Sequence, residues 1–189
     1  MAERLYAAKA GGIDPIGLVG DNVAVWLNGS WWVYRIDFWE QMPRGQQMDV
    51  DLGAVAALGN TGDQRQNVFD QSSNPPGMMQ LRCFPLDDIQ ILVRMGTGNT
   101  RFAASNIVAQ IDRFTELSDP DLHSTEFFVL KNNSVYLNCT NPTAYATAMC
   151  RVAFFGNKYN LFDYQKNYPD RETVQSNFKN VAFVDSGRP

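Results

Sequence analysis

Histidine is the scarcest chemically active residue in this chain, with His123 as its single copy among 189 residues. A metal site built on several imidazoles, as in the cupin sandwiches, is therefore excluded. A Ser-His-Asp or Cys-His catalyst would need His123 as its base, yet His123 lies in the polar stretch SDPDLHSTEF and no GxSxG motif is present. The sequence predicts a protein that is not an enzyme and has no metal or cofactor, with His123 at the surface or capping an element.

Cysteine and long apolar runs are also scarce. Cys83, Cys139 and Cys150 are widely spaced, and no CxxC pair occurs, so neither a disulfide framework nor a zinc site is expected. Cys83 and Cys150 lie in apolar stretches, where a free cysteine acts as a small core residue. No apolar run approaches the roughly 18 to 20 residues that span a bilayer, and the first fifteen residues lack the apolar core of a secretory signal.

Charge is sparse as well, at 19% of residues with a net charge of −4. Such a chain offers no basic groove, which argues against direct binding of nucleic acid through phosphates. The acids comprise fifteen Asp and five Glu, and the bases eleven Arg and five Lys. The excess of Asp fits a chain rich in turns and poor in helices, and together with the low Lys content it also fits a salt-rich habitat.

What the sequence does contain is a series of short apolar runs separated by turn residues. Asn28-Gly29 is a strong hairpin signal between two of them, and residues 59–77 read as a long polar loop. The predicted strands are NVAVWL, WWVYRIDFW, VDLGAVAAL, MMQLRCF, IQILVRM, EFFVL, VYLNC, TAMCRVAFF and KNVAFV. This spacing is typical of an all-β sandwich or barrel of about eight strands. We predict one domain over residues 1–189, with 1–20 and 185–189 as extended or mobile tails.

Two segments favour helix. In residues 105–117, SNIVAQIDRFTEL, apolar residues recur at helical spacing between a candidate cap at Ser105 and the later Pro120. The stretch PDRETVQSNF near the C-terminus predicts one more helical turn.

Carboxylates offer the remaining route to catalysis, because paired acids can act as in glycosidases. The candidates are Glu40, Asp49, Asp51, Asp87 and Asp88. Asp49 and Asp51 would share a strand face, and Asp87-Asp88 reads as a turn. With fifteen Asp residues such pairs arise by chance, so a carboxylate hydrolase is only a distant third hypothesis.

All four tryptophans fall within residues 24–39, AVWLNGSWWVYRIDFW. With Asn28-Gly29 as a two-residue loop, Trp26 faces Trp31 and Val25 faces Trp32. Strict alternation then predicts an inner face of Val23, Val25, Trp32, Tyr34, Ile36 and Phe38. It predicts an opposite face of Ala24, Trp26, Trp31, Val33, Arg35, Asp37 and Trp39.

This second face is too aromatic to be an ordinary solvated strand surface. Three alternatives could account for what covers this face: a loop or arm of the same chain, another subunit, or a sugar. The sugar is least favoured, since Trp26 and Trp31 would be about 5 Å apart and Trp31 and Trp39 about 26 Å apart. We predict an interface at Trp26, Trp31, Val33, Arg35 and Trp39.

Together these features suggest a viral coat protein. The chain resembles the smaller single jelly-roll major capsid protein of tailless icosahedral viruses with an internal membrane, which infect haloarchaea and Thermus. The resemblance rests on VAVWLNGSWWVYRIDFW, on the bias toward Asp and Arg, and on the closing stretch NLFDYQKNYPDRETVQSNFKNVAFVDSGRP. The modest net charge departs from the strongly acidic proteins of haloarchaea and leaves a Thermus-type host open.

The resemblance implies a structural, self-assembling protein of an icosahedral virion, assembled in the host cytoplasm. Its partners would be copies of itself and a second capsid protein, near an internal viral membrane. It implies no enzyme activity, no cofactor, no small-molecule substrate and no direct contact with nucleic acid. The alternative is a carbohydrate- or receptor-binding β-sandwich module.

Overall fold

The computed structural model of the protein describes residues 13–27, 29–42, 49–66, 77–97, 100–101, 107–112, 126–130 and 133–185. Within these residues the chain forms twelve strands and one short helix. The strands are β1 Asn22–Leu27, β2 Ser30–Met42, β3 Asp49–Val55, β4 Gln64–Gln66, β5 Gly77–Pro85, β6 Gln90–Thr97, β7 Thr100–Arg101, β8 Ile107–Asp112, β9 Phe127–Leu130, β10 Asn133–Thr140, β11 Ala148–Tyr168 and β12 Val181–Asp185. The helix, α1, spans Arg171–Asn177.

The larger sheet is organised around the 21-residue strand β11. Its strand order is β12-β1-β2-β11-β5-β9, and β3 also pairs with β11. Val152 of β11 pairs with both β3 and β5, and Tyr159 of β11 pairs with both β2 and β5. Strands β2 and β3 therefore lie along one edge of β11, and β5 lies along the other. The sheet is mixed, because β1 and β12 run parallel.

The smaller sheet has the order β4-β10-β6-β7, with β8 also paired to β6. Its apolar side chains, including Ile91, Val93 and Leu137, form one buried cluster with Leu81 and Phe154 of the larger sheet. Every second residue in the central parts of β5, β6 and β10 belongs to this cluster, which is what lets the two sheets share a core. The prediction of an all-β sandwich is confirmed, and the narrower jelly-roll topology stays a prediction.

Each of the nine predicted strand segments overlaps a strand, and the predicted C-terminal turn is α1. The helix predicted over residues 105–117 is wrong where it is described, because Ile107–Asp112 is strand β8. Strand β8 pairs with β6 across a register shift. Strand β8 begins with two β-branched residues, Ile107 and Val108, which favour strand. Pairing with the edge of β6 favours strand more than the spacing of the apolar residues favours helix. The predicted long loop also contains β4.

Residues 13–20, which belong to the predicted N-terminal tail, lie against the larger sheet. The Asn157 side-chain amide donates to the Ile13 carbonyl at 3.1 Å and to Gln80 Oε1 at 3.0 Å. The Tyr159 hydroxyl accepts from the Ile16 N–H and donates to the same Gln80 oxygen. Because these side chains are buried, the network fixes where the chain enters the fold. Residues 1–12 and 186–189, and His123, lie outside the described residues.

Candidate functional site

The tryptophan hairpin has the register that Asn28-Gly29 predicts. Trp26 pairs with Trp31 and Val25 with Trp32. The rings of Trp26 and Trp31 meet edge to face, with centroids 5.2 Å apart. This agrees with the cross-strand separation expected from the sequence.

A β-bulge at Asp37 changes the faces of β2 beyond this point. Leu161 of β11 pairs with Ile36, whereas the adjacent Asn160 pairs with Phe38, so Asp37 is an extra residue in β2. The prediction that Phe38 faces inward and Trp39 outward is therefore wrong. Trp39 packs in the same cluster as Ile36 and stacks on Tyr159 at 6.4 Å, while Phe38 is 53% exposed.

The outward tryptophans are covered by the chain's own C-terminal segment. Trp31, 8% exposed, and Val33 are buried in a cluster with Val174 of α1. The ring of Phe183 in β12 meets Trp31 edge to face at 5.2 Å. The Arg171 guanidinium lies over the Trp31 ring at 5.1 Å. The chain's own α1 and β12 therefore cover Trp31 and Val33.

Helix α1 is placed over this cluster by local chemistry. The Asp170 carboxylate accepts from the Thr173 N–H at 2.7 Å and caps the first turn. Val174 is the one residue of α1 that is fully buried. The Tyr168 and Phe178 rings at the two ends of the helix meet edge to face at 5.8 Å. The sequence indicates a turn of helix here. It does not indicate where the helix packs, because the contact of α1 with β2 joins residues far apart in the chain.

On both sides of the bulge, one face of β2 and β11 carries exposed and half-buried side chains that we call the outer strip. Pairing of Arg35 with Phe162, Phe38 with Asn160 and Glu40 with Lys158 places these side chains on one face. Arg35 is the predicted interface residue that lies in it. The outer strip consists of Arg35, Asp37, Phe38, Glu40, Lys158, Asn160 and Phe162.

The outer strip combines aromatic surface with balanced charge. Phe162 is 46% exposed, and the Arg35 guanidinium lies 4.8 Å from its ring centroid. The same guanidinium donates to Asp37 Oδ1 at 3.0 Å. The strip contains two bases, Arg35 and Lys158, and two acids, Asp37 and Glu40. The strip is therefore neutral in a chain whose net charge is −4.

A second surface feature lies at one end of the sandwich, where the fully buried Asn141 joins two loops. The Asn141 amide oxygen accepts from the backbone N–H and the hydroxyl of Thr143, both at 3.0 Å. Its Nδ2 donates to the carbonyls of Val55, Ala56 and Ala146. This network makes the loop end rigid.

The rigid loop end presents large apolar side chains to solvent. Leu58 is 68% exposed and has a left-handed backbone with φ of 56°, and Tyr145 is 96% exposed. Beside it lies an open groove of about 630 Å³ whose polar lining includes Asp51, Asn60 and Gln64.

Two of the candidate acids, Asp51 and Asp87, adjoin the same cation. Asp87 accepts from the Arg151 guanidinium at 2.7 and 3.0 Å, and Asp51 pairs with Arg151 across the strands. The cation between the two carboxylates leaves neither arranged as a general acid facing a nucleophile. Glu40 lies apart from them in the outer strip. No cluster of three metal-ligating side chains occurs in the part of the chain that the structure describes.

The three cysteines are free and buried, as the apolar surroundings of Cys83 and Cys150 predict for those two. All three belong to the cluster between the two sheets. Burial raises the pKa of the Cys139 thiol to about 12, and it also raises the pKa of Cys83 and Cys150. Thiols in this state are poor nucleophiles, so their role is packing.

Comparison with protein families, with characterised proteins and with solved structures found no match to this chain. Within the described residues, no helix is long and apolar enough to cross a membrane.

Proposed function

We propose that this protein is a structural subunit of a viral shell, a major capsid protein of the single jelly-roll type. The observation that carries the proposal is the outer strip, where two aromatic rings are exposed on the β2–β11 pair. Exposed aromatics beside arginine are characteristic of the centres of protein interfaces. A shell subunit needs such surfaces, because many individually weak contacts act together in a closed assembly.

The remaining surface chemistry is consistent with this role. Asp51 and Asp87 adjoin Arg151, Glu40 lies opposite Lys158, and the thiols are buried, which suits interaction surfaces better than reaction centres. The acidic balance of the chain, with a net charge of −4, suits a shell that does not bind the genome directly. In this proposal the partners are copies of the chain and a second capsid protein, in a virion with an internal membrane.

Light scattering coupled to size-exclusion chromatography, at increasing protein concentration in low and high salt, tests the proposal. We expect concentration-dependent assemblies, and electron microscopy of the largest should show sheets or closed particles. A chain that stays monomeric under all these conditions, alone and with the second coat protein of its source particle, would contradict a shell function.

The groove beside the loop end supports the second candidate, a carbohydrate- or receptor-binding module. Its polar lining of Asp51, Asn60 and Gln64 supplies carboxylate and amide groups that can bind sugar hydroxyls. Among the described residues that line it there is no aromatic ring for a sugar to stack on, which ranks this candidate second. Glycan-array binding that is lost in Asp51→Asn and kept in Asp88→Asn would favour it over the shell subunit.

A further inference from the structure

The charges of the outer strip are arranged so that the strip complements a copy of itself. Arg35 and Asp37 are neighbours on β2, and Lys158 pairs with Glu40 across the strands. A two-fold axis that passes between Arg35 and Asp37 would place Arg35 of each molecule beside Asp37 of the other. Since the strip is neutral, two copies can approach here without the repulsion that their net charges cause elsewhere.

The apolar part of the outer strip is suited to the same contact. Phe38 and Phe162 are about half exposed, and the Arg35 guanidinium already lies over Phe162. A second copy would cover both rings, and the contact with Phe162 already restricts Arg35 before association, which lowers the entropy cost. The neighbouring parts of this face are closed to a partner, because α1 covers Trp31 and the smaller sheet covers Met79, the register partner of Lys158.

We infer that two copies of this chain pair through the outer strip across a two-fold axis, with each Arg35 beside the Asp37 of the neighbour. The inference rests on the proposed function, because the outer strip supports that function and the inference names a second copy of the chain as the partner of the strip. It differs in scope, since a shell could assemble through other surfaces and leave this strip unused.

Charge reversal on the full-length chain tests the pairing in trans. Arg35→Asp replaces a positive by a negative charge and changes the net charge of the strip from 0 to −2, and Asp37→Arg changes it from 0 to +2. Sedimentation velocity should show that each variant alone self-associates at least about tenfold more weakly than the wild type, because like charges meet twice across the axis. An equimolar mixture should recover dimers, since acids of one variant then meet bases of the other.

Recovery in the mixture identifies a contact between molecules, because mixing cannot restore the Arg35–Asp37 pair within one molecule. Asp49→Arg and Lys179→Asp are matched controls at exposed positions outside the strip and should leave association unchanged. Circular dichroism of each variant checks that it folds, and Phe38→Ser provides an uncharged second test that should also weaken association.

Three results would overturn the inference. These are a wild type that does not self-associate, single variants that associate as well as the wild type, and a mixture that stays dissociated. If the variants still form shells with unchanged affinity, the strip is not the contact and the shell function stands. If neither wild type nor variants assemble, even with a second coat protein, the shell function fails as well.

Discussion

Replacement of two adjacent residues, Phe38 and Trp39, tests how the bulge at Asp37 sets the faces of β2. Trp39 is half-buried, stacks on Tyr159 and packs with Ile36. Truncation of a fully buried tryptophan costs about 3–5 kcal/mol, so we expect Trp39→Ala to cost about 2–3 kcal/mol. Phe38 is 53% exposed, and Phe38→Ala should cost less than about 1 kcal/mol, mainly through lower β-propensity.

Urea unfolding followed by circular dichroism measures both free energies. It should be done at protein concentrations low enough to keep the chain monomeric, so that association does not add to stability. Strict alternation without a bulge predicts the opposite order, with Phe38 inside and Trp39 outside. A larger loss of stability for Phe38→Ala than for Trp39→Ala would therefore refute the bulge.

Three further predictions concern other parts of the fold. Gly156→Ala should unfold the protein or lower its thermal midpoint sharply, because a Cβ there would overlap the backbone carbonyl of Gln80 on the adjacent strand; a melting curve like that of the wild type would contradict this close approach. Asn141→Ala should cost about 2–4 kcal/mol in urea unfolding by leaving buried carbonyls unpaired, and a loss below about 0.5 kcal/mol would show that the loop end does not depend on it. Hydrogen bonds from the Thr173 hydroxyl and N–H lower the pKa of Asp170 below its ordinary 3.8, so its contribution is present above that pH and is lost as the pH falls through the lowered pKa. The stability difference between wild type and Asp170→Asn should accordingly shrink on acidification, and a difference that grows in acid would exclude the cap.

The sequence predicts the sandwich and the hairpin well because both depend on local signals. Alternating apolar runs mark the strands, and Asn28-Gly29 fixes the register of Trp26 against Trp31. The bulge at Asp37 has no such signal, since it arises where β2 pairs with a strand more than a hundred residues later in the chain. One inserted residue exchanges the faces of Phe38 and Trp39, which is why strict alternation assigns both side chains to the wrong face.

Two other differences arise from tertiary contacts. Residues 107–112 have helical spacing, yet pairing with β6 makes them a strand. The cover over Trp31 comes from α1 and β12, more than 130 residues away, and nothing local to the hairpin indicates it. Arg35 is the predicted interface residue that lies in the outer strip, and Trp26 is also partly exposed. Arg35 was identified because it interrupts an aromatic face, whereas Phe162, its partner across the strands, was not.

Electron microscopy of assemblies formed by the purified full-length protein tests the central claim most directly. The account predicts sheets or closed shells in which neighbouring copies meet across a two-fold axis at the outer strip, with Phe38 and Phe162 buried between them. Assemblies that leave both rings facing solvent would contradict the pairing. Failure of the chain to assemble, even with the second coat protein, would contradict its role as a shell subunit.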